Sequence, residues 1–189
     1  HAAYPASDTE NDNIAIGYNA MTTNTAGGTY NIALGNYALD ALTSGDYNVA
    51  IGYASLGANT TGGENTAVGG YALLTNVTGE ANVGIGYASL RTNVASSNTA
   101  MGYESMRLNT SGANNTAIGR AALYTNTTGA ENVSVGKNSL LANTTGSNNV
   151  AIGVEAMDAN TTGATNVGIG KSALGSNTTG TRNIALGPY

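Results

Sequence analysis

A short triplet of apolar, small, apolar residues returns along this chain at a nearly constant interval. Ile14-Ala15-Ile16, Val49-Ala50-Ile51 and Val150-Ala151-Ile152 are three of its copies, each preceded by Asn and followed by Gly. Alternation of this kind predicts a short strand whose outer two side chains point one way and whose middle one points the other. The motif occurs eleven times, anchored at Asn13, Asn31, Asn48, Asn65, Asn82, Asn98, Asn115, Asn132, Asn149, Asn166 and Asn183. The spacing is 17 residues with two exceptions. The first is 18, with an extra glycine at Gly27-Gly28; the fifth is 16, where Val94-Ala95-Ser96-Ser97 lacks one residue and its glycine. Eight residues after the anchor, in all ten complete units, stands Leu or Met, always preceded by Ala or Ser, as at Leu56, Leu123 and Met157. An Asn-Thr-Thr-Gly turn or a close variant closes the unit.

This unit is too short for a helical-hairpin repeat and carries no helical apolar stripe. It predicts an all-β fold: a parallel β-solenoid with one unit per coil and about eleven coils. Equivalent strands then stack about 4.8 Å apart into a rod on the order of 50 Å long. The Ala-Leu pair is expected to form a second short strand or a bend. Glycine of Asn-Thr-Thr-Gly is expected to supply a positive φ at an exposed turn. Two packings fit the strand. In one, the small middle residue faces a thin interior and an apolar stripe is left outside; in the other, Ile and Leu fill the coil. The first favours burial between chains. Residues 13–189 form the repeat domain, ending in an incomplete repeat. Residues 1–12 are a non-repeat segment, a cap or a connector between subunits.

Composition supports order of this thin kind. Charged residues are 9% of the chain, there is no Phe, Trp or Cys, and β-branched residues recur at fixed places, unlike a disordered polar tract. A net charge of −5 argues against nucleic acid, since the six basic residues are scattered. Without cysteine there are no disulfides or thiolate metal sites. No run is long and apolar enough for a transmembrane helix.

The strings NIAIG (13–17), NVAIG (48–52), NTAIG (115–119) and NVAIG (149–153) resemble the head repeats of trimeric autotransporter adhesins, the YadA-like heads, and related repeats of phage and surface fibres. The resemblance runs from residue 13 to 187. It implies a left-handed β-roll, three chains around one axis, an extracellular or virion-surface location, and attachment to surfaces or matrix. The 17-residue unit is longer than the family's and implies a longer turn.

Catalytic chemistry finds no support. His1 is the only histidine, so no Ser-His-Asp arrangement forms. Glu64, Glu80 and Glu131 fall one per coil near turns and read as solvated charges. Neither a metal site, nor a cofactor, nor a phosphate loop is expected. Two sets of side chains are candidates for contact. Tyr18, Tyr53, Tyr87 and Tyr103 follow the motif glycine, and Tyr37 and Tyr71 sit one residue further on; stacked, they predict an aromatic ladder on one flank, for packing, for a subunit interface or for a glycan. Glycosylation sequons occur at Asn59, Asn76, Asn109, Asn126, Asn143, Asn160 and Asn177, with Asn114 and Asn132 also qualifying; the same turns equally suit a plain Asn ladder. The expected function is an extracellular structural or adhesive fibre segment whose partner is itself, as a homotrimer, an end-to-end filament, or both. The rival is a monomeric solenoid that binds carbohydrate or ice.

Overall fold

A computed structural model describes residues 12–23 and 27–188. The segment 1–11 with His1, the turn residue Asn24 and the terminal Tyr189 lie outside the described residues. Among the described residues the only regular elements are eleven three-residue strands: β1 Ile14–Ile16, β2 Ile32–Leu34, β3 Val49–Ile51, β4 Thr66–Val68, β5 Val83–Ile85, β6 Thr99–Met101, β7 Thr116–Ile118, β8 Val133–Val135, β9 Val150–Ile152, β10 Val167–Ile169 and β11 Ile184–Leu186. They form one parallel sheet in strict chain order. Each strand begins one residue after an anchor Asn, so the coils are numbered here by strand. The register never slips: Val49 pairs Thr66, Thr66 pairs Val83, and so on along the rod. The chain is a parallel β-solenoid with a unit of about 17 residues.

Stacking extends well beyond the strands. In coil 3 the N–H groups of Ala54 and Leu56 donate to Asn36 in the coil before and Ala72 in the coil after. Those of Ala58 and Thr60 donate to Leu74 and Val77 of the coil after. Most of each coil is thereby hydrogen-bonded to its neighbours, which suits a fold whose units contact only the next unit.

The interior is as thin as the small residues require. The middle strand residue is fully buried in most coils, as Ala50, Ala67 and Ala117 show, while both its neighbours face out. This decides between the two packings: the small position is inside. Leu56, Leu73, Met106 and Leu123 form the second buried rung. Fit is tight. A Cβ on Gly168, which stands at the small position in coil 10, would lie 2.9 Å from Met157 Cγ. Where Ser replaces the buried Ala before the rung, its hydroxyl finds a carbonyl; Ser105 Oγ donates to Ala117 O at 2.9 Å and Ser139 Oγ to Ala151 O at 3.0 Å.

Of the two forms expected for the Ala-Leu pair, a second strand or a bend, it takes the bend. It lies in consecutive tight turns, with Ser55 N–H donating to Gly52 O and Gly57 N–H to Ala54 O. The third residue of each turn, Ala54 and then Leu56, has φ near +50° (52° and 50°), as type II geometry requires. The expectation for the turn glycine is corrected. Positive φ falls on the glycine that ends each strand, such as Gly52 at 132°, and not on the glycine of Asn-Thr-Thr-Gly. That second glycine is needed for space: a Cβ on Gly129 would come within 2.5 Å of Asn126 Oδ1.

Candidate interaction surfaces

Two faces of the coil carry the polar and apolar residues in an unexpected distribution. The anchor asparagines are inside, fully buried from Asn31 through Asn166 apart from 1% exposure at Asn115. Each Oδ1 accepts the backbone N–H of the next anchor and, from Asn31 onward, its Nδ2 as well, except beside the short coil, where Asn98 Nδ2 donates to Asn93 Oδ1 at 3.2 Å; Asn132 donates to Asn115 Oδ1 at 2.9 Å from N and 3.1 Å from Nδ2. Each anchor Nδ2 also donates across the coil to the turn glycine carbonyl, as Asn48 does to Gly62 O at 2.9 Å. The turn asparagine donates to the same carbonyl, Asn59 Nδ2 to Gly62 O at 2.9 Å, and to the turn asparagine of the preceding coil, as Asn143 does to Asn126 Oδ1 at 2.8 Å. Two amide ladders thus line one side of the core, and their buried polar atoms are paired as burial demands.

The two irregular coils keep this scheme. In coil 1, Gly28 O accepts from Asn13 Nδ2 at 2.7 Å, so the extra residue lies ahead of the acceptor. In the short coil 5, Ala95 O takes the glycine carbonyl's place, accepting from Asn82 Nδ2 at 2.8 Å and Asn93 Nδ2 at 2.7 Å. A carbonyl is required there, and the residue that bears it is not.

The sequon asparagines therefore do not stand on an exposed turn. Asn59, Asn76, Asn109, Asn126, Asn143 and Asn160 are fully buried, and Asn177 is half-buried with its Nδ2 donating to Asn160 Oδ1 and Gly180 O. The nitrogen that a glycan needs is inside the coil and occupied. Asn132 is buried too; only Asn114 is exposed. Hydropathy misled here, because polar residues in a turn are ordinarily solvated. The turn threonines split. The first of each pair gives its hydroxyl to the next coil, Thr110 to Thr127 O at 2.9 Å and Thr127 to Thr144 O at 3.0 Å. Their hydroxyls are not a free array for ice. The second is exposed, as at Thr128 and Thr145, and the first is exposed as well at Thr110 and Thr178.

Apolar side chains take the outside. The two outward columns of the sheet are Ile, Val or Thr before the small residue and Ile, Leu, Val or Met after it, in all eleven strands. Ile16 is 57% exposed and Ile118 38%. Eleven strands about 4.8 Å apart and two outward side chains wide give a flat footprint on the order of 500 Å², as large as the biggest apolar patches that monomers expose. Parallel sheets are ordinarily covered on both faces; this one is covered on one.

The aromatic ladder is more continuous than the four tyrosines after the motif glycine suggest. Tyr18, Tyr37, Tyr53, Tyr71, Tyr87 and Tyr103 supply one ring in each of coils 1–6, with successive centroids 5.3–5.8 Å apart. Tyr37 and Tyr71 wedge edge-on between their neighbours, while Tyr87 and Tyr103 stack at 16°. Sequence reading singled out neither Tyr30 nor Tyr47, which stack at 5.0 Å; both immediately precede an anchor Asn, a signal that was present.

Charges are sparse. Glu64, Glu80 and Glu131 are exposed, and among the described residues no group of three or more His, Cys, Asp or Glu is placed to hold a metal. Arg107 pairs with Glu104 at 3.1 Å, and its Nη1 donates to Tyr124 Oη at 2.8 Å, a bond that raises its pKa further. Partial burial pushes the Asp40 carboxyl above its ordinary value, opposed by main-chain N–H donors. Among the described residues no helix is long and apolar enough to cross a membrane. No family model, curated protein or solved structure matches the chain.

Proposed function

We propose that this chain is a segment of an extracellular structural or adhesive fibre, in which copies pack side by side through the apolar face of the sheet. One observation carries the reading: that face is apolar or β-branched in every coil and no described residue covers it. The interior and turns use their polar groups up internally, which suits a stiff scaffold and offers no catalytic constellation. The resemblance to YadA-like head repeats supports three copies around one axis and a surface location, with left-handed coils. The exposed turn threonines, such as Thr128 and Thr145, and the tyrosine flank then face the surroundings.

Light scattering on the purified chain tests this. Three chain masses are expected at micromolar concentration. Two would keep the apolar interface and remove the trimer, and a monomer that persists at high concentration would overturn the proposal.

A further inference from the structure

We infer that the tyrosine flank of coils 1–6 is a binding strip for an extended, uncharged polysaccharide on the surface to which the fibre attaches. The inference rests on the fibre reading for its setting, but not for its chemistry.

The first argument is that the fold does not ask for these rings. Coils 7–10 place Arg120, Lys137, Val154 and Lys171 in the column that holds Tyr18, Tyr53, Tyr87 and Tyr103. They nevertheless make the same turn: Ser139 N–H donates to Gly136 O at 3.3 Å, as Ser89 N–H does to Gly86 O at 3.3 Å. The later coils are an internal control, and they show that aromatic residues here are dispensable for the coil.

The second argument separates this strip from the sheet face. A surface joining copies along the whole rod should be apolar along the whole rod, and the sheet face is. The tyrosine column stops at coil 6 and gives way to Arg120 and Lys137, which form no ion pair among the described residues. The ladder is therefore a local feature laid over a uniform scaffold.

The third argument is the chemistry and spacing of the strip. Tyr18, Tyr53, Tyr87 and Tyr103 are each about half exposed (58%, 48%, 47% and 50%), whereas Tyr37 and Tyr71 are more buried and hold them apart. Tyr18, Tyr53 and Tyr87 recur every second coil, roughly 10 Å apart, the scale of one disaccharide. A tyrosine presents an apolar ring face with a hydroxyl at its tip, which suits the apolar face and equatorial hydroxyls of a pyranose. Charge favours an uncharged ligand. In coils 1–4 the described residues include Asp40, Asp46, Glu64 and Glu80 and no Lys or Arg, and the cation beside the ladder, Arg91 of coil 5, is already stacked over the Tyr71 ring, 5.9 Å from its centroid.

Calorimetry with the full chain tests the strip, using cellohexaose and chitohexaose as neutral probes and an acidic hexauronate as contrast. Saturable binding of a neutral probe is expected. It should weaken at least tenfold in Tyr53→Ala/Tyr87→Ala, stay within about threefold in Tyr53→Phe/Tyr87→Phe, and be unchanged in Lys137→Ala/Lys171→Ala. Circular dichroism and thermal unfolding of the alanine pair should match the parent, as the tyrosine-free coils require. Preference for the hexauronate, or no binding of either neutral probe, would overturn the inference. So would an alanine pair whose assembled mass drops, because the ladder would then be a chain-to-chain contact. Failure of the fibre reading registers separately, as a monomeric mass in the parent protein.

Discussion

The asparagine side of the coil and the sheet face invert the usual rule of apolar inside and polar outside. Within one 17-residue unit, Asn115 is 1% exposed and Ile118, three residues later, is 38% exposed. The difference lies in what each finds in the neighbouring coil. An amide finds an identical amide in register, and the pair satisfies both groups at no cost in unpaired donors. An isoleucine on the outer face finds only its equivalents beside it, and its far side stays in water. Repetition can therefore bury a polar side chain completely, but cannot bury the apolar residues of a one-layer sheet. The first becomes stability of the chain, the second a demand for a partner.

Removing an anchor amide should test the inner side most severely. Asn115→Ala leaves the buried Asn132 N–H without its acceptor and deletes four further side-chain hydrogen bonds. The expected loss is about 3 kcal/mol or more in denaturant unfolding. A loss below 1 kcal/mol would mean that water or a rearranged turn replaces the ladder. Asn126→Ala should cost less, about 1–2 kcal/mol, because only side-chain donors and acceptors are affected and no backbone N–H is orphaned. Coil 2 already lives with Leu42, fully buried, at that position.

Changing the outer face should reverse the pattern. The triple substitution Ile118→Lys, Val135→Lys, Ile152→Lys should move the unfolding free energy of the separated chain by only about 1 kcal/mol. The assembled mass by light scattering should fall to that of one chain. Unfolding of the single chain would show that the face supports the coil itself. The smallest effect is expected at Ser105→Ala, within about 1 kcal/mol, since alanine fills the same place in coils 1, 2, 4, 7, 9 and 10. A larger loss would mean that the hydroxyl bond to Ala117 O holds coil 6 to coil 7.

Much of this architecture was legible in the residues. The period and the strand triplet follow from spacing and alternation, whereas the direction of the small residue stayed open between two packings that only the burial of Ala50 and its equivalents decides. The Leu/Met rung was legible as a recurring apolar position of the unit. The orientation of Asn59 and its equivalents was not. A single Asn-Thr-Thr-Gly reads as a solvated turn, and its inward direction becomes favourable only when the next coil offers Asn76 in register. The positive φ of Leu56 was hidden in the same way, since an isolated leucine avoids that conformation. The tyrosine flank was half legible: Tyr37 and Tyr71 are offset by one residue, and only the turn geometry interleaves them with Tyr18, Tyr53 and Tyr87 into one row.

The strict parallel register has a mechanical consequence. Its hydrogen bonds run along the rod axis, so a pull on the two ends of one chain loads them one coil at a time. The rod peels and does not shear. Each peeled 17-residue coil releases about 58 Å of extended chain, and a force trace should show a train of nearly equal steps. Coils that are easy to peel singly make a poor cable alone. Neighbouring chains gripping the same face would turn that sequential failure into a shared load.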